Sequence, residues 1–146
     1  MADRLPVQTA RAARSGPLLA PEGMAQGDLN ELFTQALQLV GDMHASGVDI
    51  LAGTDHRALP GIALHTELEL MSEAGISNYD VIQLATINAA RIMGMDKDYG
   101  SIEPGKYADL VLLRDNPLAD ITATRSVEWV IRQGVAYTAA DLEAAP

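Results

Sequence analysis

The sequence predicts an α/β fold, and three observations lead there. Leu29, Leu32, Phe33, Ala36, Leu37, Val40, Met43 and His44 recur at helical spacing on one apolar stripe. Gly47 then ends the helix and gives way to the short apolar run 48–52, suited to a buried parallel strand. That run closes on Gly53-Thr54-Asp55, which puts a carboxylate at a strand's carboxyl end, where α/β folds place their chemistry.

The remaining elements follow in order. Residues 1–27 carry Pro6, Gly16, Pro17, Pro21, Gly23 and Gly27 with no period, and read as an irregular leader or loop. Asp28 suits the N-cap of the first helix. A second helix is expected from about Leu64 to Ala74, closed by Gly75. A third opens at Ser77, with Asp80 completing a capping box, and carries Val81, Leu84, Ala85, Ala89, Ile92 and Met93 to Gly94. From Tyr99 through Ile102 the period becomes strand-like, and the Glu103-Pro104-Gly105-Lys106 turn leads into a strand over 108–113 that Asn116-Pro117 breaks. Runs 127–131 and 135–137 flank Arg132-Gln133-Gly134 as a terminal hairpin, and 139–146 read as a frayed tail. The chain thus divides into 1–27, 28–98, 99–138 and 139–146. A lone strand at 48–52 cannot satisfy both of its edges, so its neighbours must come from elsewhere.

Composition narrows the function. The 146 residues hold 10 Lys plus Arg against 20 Asp plus Glu, a formal charge of −10, with 48% hydrophobic residues and no Cys. That field repels phosphate backbones and anionic lipid, so nucleic acid is not an expected partner. No run approaches the roughly 18 apolar residues of a membrane span, and no membrane partner is expected. The absence of Cys removes disulfides and thiolate chemistry, and leaves any metal to His, Asp or Glu. The histidines are His44, His56 and His65. With no apolar signal core either, the expected location is cytoplasmic.

Asp55 is the sharpest candidate for chemistry. An ionised carboxylate there can hold a cation and take a proton from a metal-bound water; an Asp after Gly-Thr also suits a turn or a helix N-cap. His44 lies on the apolar stripe and reads as a packed or partly exposed helix residue. Asn88 is mid-helix and reads as bonded to nearby backbone or a loop. Lys106 and Asp109 read as structural, and Trp129 and Tyr137 as hairpin core.

Several runs fall in one order: 47–55 (GVDILAGTD), Pro60-Gly61 with 64–68 (LHTEL), Ala74-Gly75, 85–90 (ATINAA), Gly94, and 100–111 (GSIEPGKYADLV). Together they resemble the carboxyl-terminal third of a metal-dependent amidohydrolase, and are most similar to the imidazolonepropionase-like and Xaa-Pro or Xaa-Arg dipeptidase branch. The resemblance covers about residues 28 to 137. It implies a partial (β/α)8 barrel, meaning the last strand and its flanking helices, plus part of a small β-sandwich domain. On it, 48–52 is the eighth barrel strand, and the segment from 101 with the last hairpin belongs to the sandwich. It further implies hydrolysis of C–N bonds with zinc or another divalent metal, with Asp55 contacting the metal and shuttling a proton to the leaving amine.

His65 and Glu67 match a His-x-Glu pattern of that branch. Two positions apart on a helix, they do not share a face. His65 is then either a substrate contact or a hydrogen-bonded residue at the helix start, and His56 is a second substrate-binding candidate by its place beside Asp55. A family member also brings a His-x-His, a carboxylated Lys or a Glu, and two further histidines, none of which this chain supplies. The chain alone is therefore expected to hold no metal and to be inactive, its partner being the missing barrel part or other copies of itself. The alternative is a non-catalytic, oligomerising module derived from the same fold. A third option has Asp55, His56 and His65 of several copies sharing one ion.

Overall fold

The computed structural model describes residues 21–54, 60–138 and 140–141. Helix α1 spans Gln26–Ala45, α2 Pro60–Glu73, α3 Asn78–Leu84 and α4 Ile87–Ile92. Strand β1 is Leu110–Leu113, a 3-10 turn covers Ile121–Arg125, and β2 (Val127–Arg132) and β3 (Val135–Thr138) follow. The result is α/β in content, with helices first and a small antiparallel sheet after them.

Helix ends follow the local chemistry. After α1, α2 and α4 the chain turns at Gly47, Gly75 and Gly94, with φ of 77°, 90° and 69°. A side chain is strained in that region, and glycine is not. The next amide then reaches back to close each end, Val48 to Met43, Ile76 to Met71 and Met95 to Ala90. Ser77 is the N-cap of α3: the Asp80 amide donates to Ser77 Oγ at 3.1 Å, and Ser77 Oγ donates to Asp80 Oδ2 at 2.6 Å. Helix α1 begins earlier than expected, with Ala25 at the N-cap and Asp28 in the first turn, where its charge suits the exposed amides.

The expected third helix is two, because Thr86 (φ −131°, ψ −96°) leaves helical geometry between α3 and α4 while its Oγ1 donates to the Ile82 carbonyl at 2.7 Å. Residues 48–52 form no strand with the described chain. A parallel strand exists only through its neighbours' hydrogen bonds, and the described residues offer none there. Ile50 and Ala52 nevertheless pack on the core, while Val48 and Leu51 are exposed.

The core lies among the helices. Leu68 and Met71 of α2, Ile76, Val81 and Leu84 of α3, and Ile121 of the 3-10 turn are buried together, and Val40 of α1 packs against them. Burying each such side chain is worth roughly 1.5–3 kcal/mol before ordering costs.

The sheet has the order β1-β2-β3, antiparallel throughout. Leu112 pairs with Trp129 and Trp129 with Thr138, with a bulge after Leu112. Gln133 (φ 50°) and Gly134 (φ 82°) form the two-residue hairpin turn, and Asp109 Oδ1 accepts from the Gln133 amide at 2.7 Å. Trp129 and Tyr137 are not core: they are 40% and 36% exposed, and their neighbours Leu112 and Val135 are exposed as well. The expected strand character from Tyr99 to Ile102 is also absent. That stretch is a loop pinned by the stacked rings of Tyr99 and Tyr107, 5.0 Å apart, and by Lys106 Nζ, which donates to the Asp96 carbonyl at 2.7 Å and Ser101 Oγ at 2.6 Å.

Candidate functional site

Of the candidates, Asp55 and His56 lie outside the described residues. His65 is half-buried on α2, and the structure brings it to a residue 59 positions away: its Nδ1 lies 3.0 Å from Thr124 Oγ1. Thr124 is buried in the 3-10 turn. Asp120 caps that turn, accepting at Oδ1 from the Thr122 amide at 2.9 Å.

Next along the turn, Arg125 donates from Nε to Glu69 Oε1 at 2.6 Å and from Nη2 to Glu69 Oε2 at 3.0 Å, and also to Thr66 Oγ1 at 3.1 Å. The spacing 65, 66, 69 puts the three α2 residues on adjoining positions of one helix surface. Burial holds the His65 imidazole below its ordinary pKa, the Arg125 charge lowers it further, and Glu69 opposes both. Glu67 faces elsewhere and is half-buried, and burial pushes its carboxyl above the usual range.

Sequence reading missed Thr124, Arg125 and Glu69. The one local signal was Asp120 two residues before Thr122, an N-cap spacing for a short turn.

Among the described residues, no group of three or more His, Asp or Glu is placed to hold an ion. The described part of the chain therefore does not fit a metal centre by itself. His44 is half-buried on α1, and Asn88 Oδ1 accepts from Arg91 at 3.2 Å. Among the described residues no helix is long and apolar enough to cross a membrane.

Residues 28–136 match the Amidohydrolase family, and the chain belongs to it. It is 34% identical over 123 residues to an adenine deaminase of Clostridium botulinum (strain Loch Maree / Type A3), a match that takes in 80% of this chain and 20% of the relative. It is 35% identical over 82 residues to a 5-methylthioadenosine/S-adenosylhomocysteine deaminase of Teredinibacter turnerae, covering 49% of this chain and 19% of that one.

Among solved structures it is similar to a Xaa-Pro dipeptidase with bound methionine in the active site, with a TM-score of 0.66 at 33% identity over 71% of this chain and 26% of that one. An amidohydrolase from Thermotoga maritima MSB8 gives a TM-score of 0.58 at 30% identity, over 70% of this chain and 26% of that one. The chain thus spans about a fifth of the length of the deaminases it matches and about a quarter of these structures.

Proposed function

We propose that this chain is the closing part of an amidohydrolase that hydrolyses C–N bonds, and that Asp55 is its contribution to the chemistry. The family match over 28–136, set against coverage of only a fifth to a quarter of the relatives, carries this reading. In it, residues 48–52 take the place of the last barrel strand, and the 99–138 segment is part of a small sandwich domain. Asp55, following that strand, accepts a proton during attack on the carbon and returns it to the departing nitrogen. In this reading zinc or another divalent metal would be held by Asp55 together with ligands from the rest of the barrel, supplied in cis or in trans. Substrate selection resides in loops after the other strands, which leaves amide, peptide and cyclic amide substrates within the proposal.

The test supplies the upstream barrel of a family member to this chain and assays ammonia release and dipeptide cleavage with and without zinc. Zinc-dependent turnover is expected, and Asp55→Asn should reduce it by at least about 100-fold. Turnover undiminished in Asp55→Asn would remove Asp55 from the reaction.

A second reading, a non-catalytic oligomerising module, is favoured by the exposed apolar residues Leu32 and Leu39 of α1 and Val48 and Leu51 of the 48–52 segment. Light scattering combined with a thermal melt separates the two. A cooperative melt and a defined oligomer support the module, whereas aggregation relieved by the added barrel supports the hydrolase.

A further inference from the structure

We propose that the contact between His65 and Thr124 is an acid-labile tie that holds the sheet-bearing part of the chain onto α2. The seam it belongs to is narrow. Ile121 enters the helical core, Asn78 Nδ2 donates to the Leu118 carbonyl at 3.2 Å, Arg125 grips Glu69, and His65 meets Thr124. Among these described contacts, only the imidazole belongs to a residue type that changes charge between about pH 5 and 8. The Ile121 packing and the Asn78 bond to the Leu118 carbonyl involve no ionisable group.

The geometry sets the direction. A neutral ring can present Nδ1 to the threonine hydroxyl as acceptor or as donor, and the hydroxyl can rotate to suit. An imidazolium can only donate, so Thr124 Oγ1 must then accept, and the new charge sits in a partly buried place beside the Arg125 cation. Glu69 is the anion at hand, but both its oxygens are already engaged by Arg125. The charged groups that act on the ring are therefore Arg125 from the 3-10 turn, which opposes its protonation, and Glu69 from its own helix, which favours it.

A ring whose folded pKa lies below its unfolded value of about 6.5 gives up stability as pH falls through that value. Above it, the tie is intact. Below it, the released form takes up a proton that the docked form resists, so about one proton is bound per tie broken.

The experiment is an NMR titration of the full chain between pH 7.5 and 5, following the ring nitrogens of His65 and the backbone amides of 121–125, with thermal melts alongside. The expected result has three parts. The ring titrates with a midpoint below 6.5, the amides of 121–125 shift with that same midpoint, and the melting temperature falls over the same range. His65→Asn keeps a hydrogen-bonding atom near the Nδ1 position without a titratable charge, and should flatten that fall. A ring midpoint at or above 6.5, amides of 121–125 indifferent to the ring, or an undiminished acid loss in His65→Asn would each overturn the proposal. Should that variant not fold, the titration of the unaltered chain decides alone.

Discussion

Arg125 and Glu69 form a two-pronged ion pair across 56 positions of sequence, with Nε to Oε1 at 2.6 Å and Nη2 to Oε2 at 3.0 Å. The planar guanidinium meets both carboxylate oxygens at once, which a lysine cannot do. Both side chains are partly exposed, at 39% and 28%, so solvent screens the charge and the pair is modest in energy. A double-mutant cycle of Arg125→Met and Glu69→Gln, read by chemical denaturation, should give a coupling of about 0.5–1 kcal/mol that shrinks in 1 M salt. Arg125→Lys should lose most of it. A coupling of zero would reduce the pair to a surface contact.

Gly41 marks where α1 meets the end of α2. A Cβ there would run into the backbone carbonyl oxygen of Ala74, too close for either backbone to remain in place. Helix propensity alone favours Ala over Gly by about 1 kcal/mol, so the two effects oppose each other. The clash should win, and Gly41→Ala is expected to destabilise by about 2 kcal/mol or more. Gly27, in the same helix with open space around it, is the control: Gly27→Ala should be neutral or slightly stabilising. Equal melting temperatures for the two variants would contradict the close approach.

Burial of Glu67 predicts a pH signature of its own. Its carboxyl is pushed above the ordinary range, so the folded state prefers the neutral acid. The stability tied to this group is present below the unfolded value of about 4.3 and is lost as pH rises through the folded pKa. Glu67→Gln should accordingly raise the melting temperature at pH 7, with the gain disappearing near pH 4. A constant difference between the two proteins at both pH values would mean that the carboxylate's charge is not what burial disfavours.

The hairpin carries a correctable strain. Gln133 holds φ of 50° in a two-residue turn that favours Asn or Gly at that position. Gln133→Asn should stabilise by a few tenths to 1 kcal/mol, since the Asp109 contact is to the backbone amide and survives the exchange. Thermal melts of the two proteins check this, and a lower value for the variant would show that the Gln side chain contributes more than its backbone costs.

Much of the helical part was legible because its signals are local. Gly47, Gly75 and Gly94 end helices through backbone bonds made within five residues, and the Ser77 and Asp80 pair is complete within four. The break at Thr86 was hidden because Val81, Leu84, Ala85 and Ala89 keep helical spacing across it. Residues 48–52 read as a strand from composition, but a ladder needs a second chain segment that the described residues do not provide. Trp129 and Tyr137 failed for a related reason, since burial depends on what covers a sheet rather than on the residue. Of the candidate site, His65 was found as a histidine on α2, but its partner Thr124 could not be, because a contact 59 positions long leaves no periodic trace. Asp55 and His56 lie outside the described residues and rest on the proposal alone.

Among the described residues, the order β1-β2-β3 gives the middle strand hydrogen-bonding neighbours on both flanks, whereas each outer strand has one. In deuterated solvent the amides of Trp129 and Ile131 should therefore be among the last of the sheet to gain label, while the outward rows of β1 and β3 fill early. Those two rims are also where an added strand would register first, as a slowing of uptake on one side and not the other.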